Sequence, residues 1–338
     1  MNLKLSILYI SVFVVLFSCN NSETIQIKDE NTSKYVSDTG IVAEITKDII
    51  NDTKNAELYK KRAEALVNKK NYADAIHDLE TAIALDSTNT EYLNLISDYW
   101  LLNGDSEPTK KYLDKSIALE PENTATLIRL AQLYLYFSDY NKTFDYVNEA
   151  IKLNPNLYQA YFLKAMCYDQ IGDTNRAIIQ LQNAVSMNAD YYDAYQLLGL
   201  LCTKTGDTLA IAYFKRAQHL NPKSIESRYG LAYFYQENDR LDDAIAEYNY
   251  IINSIDKTYS RSYFNIGFIN LIYLEDYNKA LEYFTFTNKY EPNNPNIIYN
   301  IGRSYEKLGD KSKAKQYYES AIKINPEHEL SIKGLERL

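Results

Sequence analysis

The chain is governed by a period of 34 residues. Pro121 and Pro155 lie 34 apart, as do Pro292 and Pro326, and as do Gly172 and Gly206. Gly104 to Gly172 is twice that distance. The text around these points recurs: KSIALEPENT, EAIKLNPNLY, KRAQHLNPKS and SAIKINPEHE are versions of one helix end, and Gly-Asp pairs at 104–105, 172–173, 206–207 and 309–310 mark the middles. A fixed period of this length means a stack of like units, each burying its apolar face on its neighbours. Gly ends the first helix of a unit by entering the left-handed region, Asp then caps the second, and the later Pro stops it.

These features resemble the tetratricopeptide repeat, a helix-turn-helix of 34 residues. The resemblance covers residues 56–328 as eight repeats, starting at Ala56, Thr90, Thr124, Tyr158, Tyr192, Ile225, Ser260 and Pro295. It implies an all-α, right-handed superhelical solenoid. Paired helices pack closely only through small residues. Position 8 reads Ala63, Ser97, Ala131, Ala165, Gly199, Ala232, Gly267 and Gly302; position 20 reads Ala75, Thr109, Thr143, Ala177, Ala210, Ala244, Ala280 and Ala314. Position 27 is small except at Ile251 and Thr287, which points to wider helix spacing there, or to a kink or partner surface. Repeat five is one residue short in its turn, repeat seven one long, and Tyr259 stands between repeats six and seven. Residues 39–55 read as a half-repeat cap before repeat one and residues 329–338 as the closing helix, since both ends of a stack need covering.

The amino terminus carries a second pattern. Residues 1–18 hold Lys4 and a 13-residue run, 5–17, broken only by Ser6 and Ser11. That is short of the roughly 20 residues of a membrane span and suits a signal peptide. Leu16-Phe17-Ser18-Cys19 resembles a bacterial lipobox, which implies that the Cys19 thiol carries a lipid. Several acyl chains hold a protein stably where one is marginal. The style resembles lipoproteins of the Bacteroidetes. Asn20 in place of Asp points to the outer membrane, and the lack of a strong acidic cluster after the cysteine points to its periplasmic face. Residues 19–38 are polar and read as a lipidated Cys and flexible tether.

A net charge of −9 with no long basic run argues against nucleic acid, whose binding rests on neutralising phosphates. Tyr is unusually common, 33 against 11 Phe and 1 Trp, and suits the half-buried positions of a thin stack. His77, His219 and His328 are far apart and in no metal-binding or catalytic spacing. No Gly-rich phosphate loop is present, no cofactor is implied, and the chain reads as a non-enzyme. Cys167 and Cys202, on the first helices of adjacent repeats, are expected as two buried thiols, those helices lying too far apart for a disulfide.

In the tetratricopeptide family the first helices line a groove that takes peptides or protein segments. The groove positions give Glu57, Lys60, Glu64, Glu91, Asn94 and Asp98 in repeats one and two, an acidic start, and Tyr229, Tyr233, Phe264, Phe268 and Leu271 in repeats six and seven, with Tyr299 and Arg303 in repeat eight. Aromatic residues beside an Arg are the usual make-up of binding hot spots, so the expected working surface is the aromatic end. One subgroup captures a terminal carboxylate with Lys and Asn. Lys60 fits that pattern, but Glu64 and Leu95 do not. The expected partners are envelope proteins or peptide segments. The alternative is a lipoprotein that takes a small molecule or glycan in its aromatic groove.

Overall fold

A computed structural model describes residues 30–37 and 39–338. The expected signal peptide and lipid-bearing Cys19 fall outside the described residues. All regular structure among the described residues is helical, and it groups into two compact units that divide between Thr109 and Lys110.

The first unit contains α1 (Glu30–Tyr35), α2 (Ile41–Asn51), the pair α3 (Ala56–Asn68) and α4 (Tyr72–Leu85), then α5 (Thr90–Leu102) and the start of α6 (Ser106–Leu119). The second contains the rest of α6 and the pairs α7 (Thr124–Tyr136) and α8 (Tyr140–Leu153), α9 (Tyr158–Gln170) and α10 (Thr174–Met187), α11 (Tyr192–Thr205) and α12 (Leu209–Leu220). It continues with α13 (Ile225–Glu237) and α14 (Leu241–Tyr250), α15 (Ser260–Ile272) and α16 (Tyr277–Tyr290), α17 (Pro295–Lys307) and α18 (Lys311–Ile324), and ends in α19 (Glu329–Arg337). With α3/α4 and α5/α6 these make eight helix-turn-helix units.

Local chemistry sets the helix ends. Asn71, Asn89, Asn123, Asp139, Asp173, Ser224, Asp276, Asn294 and Asp310 each accept a backbone N–H of the first turn they precede. Each turn inside a unit passes through the left-handed region. Gly104, Gly172, Gly206 and Gly309 do so freely, at φ 71–88°. Lys70, Ser138, Asp239 and Glu275 take the same conformation at φ 53–60°, at a steric cost that glycine would avoid.

The small column at position 8 has a specific partner that only packing shows. It faces the large residue at position 24 of the same unit's second helix. Where that residue is Phe214, Phe284 or Tyr318, position 8 is Gly199, Gly267 or Gly302. A Cβ on these glycines would stand 2.6, 3.0 and 2.9 Å from the ring. Phe214 is walled on its other side by Gly230 of α13 and Tyr318 by Gly334 of α19, where a Cβ would meet the ring at 2.6 and 2.7 Å.

Two expectations change. Residues 30–37 are folded rather than part of a tether. Asn31 Nδ2 donates to Asp78 Oδ1 at 2.9 Å and to the Asp74 carbonyl at 3.0 Å, and Lys34 and Tyr35 both bond the Asp74 carboxylate. Burial opposes charge on Asp74, but the hydrogen bonds from Lys34, Tyr35 and Asn71 outweigh it and hold the carboxyl below its ordinary range. Below this contact lies a fully buried ion pair. Arg62 Nε and Nη2 donate to the two oxygens of Asp78, each at 2.8 Å, and Nη1 donates to Thr32 and Thr46. These partners lie 30–47 residues from α1 in sequence, so local polarity gave no sign of them. The second change concerns Ile251. The second helix of repeat six ends in a π-helical turn, Ile251–Ile255, which takes up one extra residue while Ile251 and Ile252 stay in the core. The coil of the helix itself widens there.

Candidate functional site

The aromatic end forms an open depression of about 600 Å³ on α13, α15 and α17. Tyr229 comes from α13, Phe264 and Phe268 from α15, and Tyr299 and Arg303 from α17. A spacing of four residues puts Phe264 and Phe268 on one face of α15, and Tyr299 and Arg303 on one face of α17. Phe264 and Phe268 stack at 6.5 Å, and Phe264 meets Phe284 edge-on at 5.5 Å. Tyr299 stacks on Tyr318 at 5.6 Å and meets His328 edge-on at 5.9 Å. The Tyr229 ring stands edge-on to Tyr248 and to Tyr259, the residue between repeats.

The amides of this depression are committed internally. Asn265 Nδ2 donates to the hydroxyls of Tyr229 at 3.0 Å and Tyr248 at 2.9 Å. Burial raises the Tyr248 hydroxyl well above the phenol range, so it stays neutral. Asn300 Nδ2 donates to the Asn296 carbonyl at 2.9 Å. Asn296 Oδ1 lies 3.1 Å from His328 Nε2, and His328 Nδ1 lies 2.8 Å from Ser331 Oγ. That pairing assigns the ring proton to Nε2 and makes Nδ1 the acceptor. Burial lowers the His328 pKa. Ser260 Oγ bonds Glu291. Arg303 differs: it is half-buried, and its guanidinium has no ion-pair or hydrogen-bond partner among the described residues. The site therefore offers aromatic surface and two cations that no carboxylate pairs, Arg303 and the exposed Arg261, which touches the Tyr259 hydroxyl.

Two of the seven residues expected here lie elsewhere. Leu271 is 3% exposed and sits in the core with Phe284, Ile297 and Ile301. It follows Gly267 by four residues, so it shares the face that packs on the next helix. Tyr233 is 42% exposed but stands outside the depression, which ends one turn earlier at Tyr229.

At the acidic start, in the first unit, Lys60 bridges Glu57 at 3.4 Å and Glu91 at 2.5 Å. Tyr92 donates to Glu57 at 3.4 Å. Glu64 is exposed, Asp98 half-buried and Asn94 buried. The acidic surface is thus partly neutralised by its own lysine, which is also the residue that matched the carboxylate-binding pattern.

A second depression, of about 570 Å³, was missed in the sequence. It lies on α7 and α9 and the turn before α11, and its lining includes Gln132, Gln159, Phe162, Leu163, Met166, Gln170, Tyr191 and Asp193. Several of these occupy the columns that mark the aromatic end, with glutamine and methionine in place of aromatic and arginine. The column pattern was legible, but nothing in the composition marked it as a site.

Cys167 and Cys202 are free and buried, and burial pushes each thiol up to about 11. Among the described residues no group of three or more His, Cys, Asp or Glu is placed to hold a metal ion, and no helix is long and apolar enough to cross a membrane.

Three stretches, 146–179, 208–257 and 295–328, match models of the tetratricopeptide repeat. A tetratricopeptide repeat protein from Parabacteroides merdae is 18% identical, with 73% of this chain and 97% of that chain covered at a TM-score of 0.51. The human IFIT1 dimer with PPP-AAAA is 17% identical over 84% and 68%, at 0.53. The APC/C hetero-tetramer Cut9-Hcn1 is 16% identical over 87% of this chain, at 0.50, and this chain spans only 58% of its length. At these identities the likeness concerns the fold alone. No curated protein matches the sequence.

Proposed function

Because the chain belongs to the tetratricopeptide-repeat family, we propose that it is a binding scaffold, not an enzyme, that holds a protein segment on α13, α15 and α17. The observation that carries this reading is Arg303, an uncommitted cation among Phe264, Phe268, Tyr229 and Tyr299 in an open depression. An arginine with aromatic neighbours is the commonest basis of a strong protein contact. An acidic group on the partner would pair with the guanidinium, and an apolar side chain would lie on the Phe264–Phe268 stack. The open form suits a segment passing through better than an enclosed small molecule or glycan.

The lipobox-like Leu16-Phe17-Ser18-Cys19 supports anchoring through a lipid on Cys19, on the periplasmic face of the outer membrane, with envelope proteins as partners. In sequence, ten residues, 20–29, lie between Cys19 and the start of α1.

The test is a pull-down from envelope membranes with the mature chain as bait, compared with Phe268→Glu and Arg303→Glu. Proteins held by wild type and lost by both variants support the reading. Identical captures by all three baits would place the working surface elsewhere. Replacing Cys19 with Ser should release the protein from membranes, and retention would reject the lipid anchor.

A further inference from the structure

The two depressions of the second unit differ in which polar groups are free. On α15 and α17 the asparagines are spent on internal hydrogen bonds, and the groups without a carboxylate partner are the Arg303 and Arg261 cations. On α7 and α9 the reverse holds. The side-chain amides of Gln132, Gln159 and Gln170 have no hydrogen-bond partner among the described residues, and Gln159 Oε1 is buried in that state. A buried acceptor without a donor is unfavourable, and a ligand N–H relieves it. The only charged side chain lining this depression is Asp193, which is exposed. A negative group is therefore repelled here while one is attracted at Arg303.

We propose that this depression is a second peptide subsite, which binds an uncharged, extended stretch by pairing its glutamine amides with main-chain peptide groups. A glutamine amide carries two donors and an acceptor. It can accept a peptide N–H and donate to a peptide C=O at once, so one residue reads a main-chain unit without selecting its side chain. Selection falls to the floor, where Phe162 and Met166 are joined by Leu163. Methionine adapts to side chains of varied shape, so the floor takes a large apolar residue with little discrimination. Phe162 is tilted onto Tyr191 at 5.0 Å and 59°. That neighbour occupies part of the ring surface a sugar would need as a stacking platform, which favours a peptide over a saccharide.

The inference rests on the reading of these helices as a surface for protein segments. It adds that the segment is bipartite: an apolar, uncharged part toward the glutamines and an acidic part toward Arg303.

The probe is the capped peptide N-acetyl-Ala-Leu-Ala-amide, followed by NMR on the mature chain with labelled side-chain amides. The Gln159 side-chain signals should shift on titration, and Gln159→Leu should weaken binding about fivefold, the usual loss for one neutral hydrogen bond. Because the shifts are read on unaltered protein, the test survives a variant that folds poorly. No shift at Gln132, Gln159 or Gln170 at millimolar peptide overturns the proposal, and so does stronger binding there by an N-acetylglucosamine trimer. A capped acidic peptide, N-acetyl-Ala-Phe-Glu-amide, reports on Arg303 separately. If it binds in an Arg303-dependent way while the uncharged peptide fails, the second subsite alone is wrong. If neither binds, both readings fall.

Discussion

Replacing Gly230 with alanine tests the packing logic of the stack. The added Cβ would stand 2.6 Å from two carbons of the Phe214 ring, where ordinary carbon contacts are about 3.5–4.0 Å. The ring must therefore move by about 1 Å. It cannot move away, because its far side already lies against Gly199, where a Cβ would stand 2.6–2.8 Å from it. Overpacking of this kind costs about 1–3 kcal/mol, and a ring confined on both sides belongs at the upper end. Alanine returns about 1 kcal/mol of helix propensity, leaving a net loss of about 2 kcal/mol. Gly267→Ala is the internal control. Its Cβ would meet Phe284 at 3.0–3.2 Å, a contact relieved by a few tenths of an ångström, so strain and propensity cancel to about zero. Urea unfolding followed by circular dichroism measures both, with an unchanged slope as the condition for comparing midpoints. Phe214→Leu should largely rescue Gly230→Ala, with a coupling of about 1–2 kcal/mol. The reasoning fails if Gly267→Ala is as damaging as Gly230→Ala, or if the effects of Gly230→Ala and Phe214→Leu simply add.

Three further outcomes are expected. Asp78→Ala should destabilise the first unit by about 3–5 kcal/mol, because it leaves the fully buried Arg62 guanidinium without its carboxylate; it should also loosen α1, read as faster tryptic cleavage after Lys34, and unchanged cleavage would separate α1 from the ion pair. His328 has a lowered pKa in the fold, so the unfolded chain binds the extra proton first. The stability it contributes is complete above the ordinary imidazole value of about 6.5 and is lost as pH falls below it. His328→Gln should flatten that part of the pH–stability curve, and an unaltered curve would assign the slope to other groups. Lys70→Gly and Glu275→Gly should each stabilise by about 0.5–1 kcal/mol, since the left-handed turn is costly for these side chains and free for glycine. The gains should add in the double variant, and a loss in either urea midpoint would contradict the assignment of strain.

The sequence by itself determined the repeating skeleton. The 34-residue period, the Gly-Asp turns and the small residues at positions 8 and 20 are local or strictly periodic, so they placed the first helix of each unit and identified the facing sides. The groove columns were legible for the same reason, and five of the seven aromatic-end residues line one depression. The tertiary structure decided everything that depends on a partner remote in sequence. Leu271 left the groove because helix rotation turns it onto the next helix, and α1 joined the fold because Asp74 and Asp78 lie on a helix 40 residues further on. Left-handed turns at Lys70, Ser138, Asp239 and Glu275 were set by the packing of helices on either side, against the local preference of those residues. Most of all, the state of each amide was invisible in the sequence: Asn265 is spent on two tyrosines while Gln159 is free. A side chain's composition fixes which bonds it can make, and only the fold decides which have already been made.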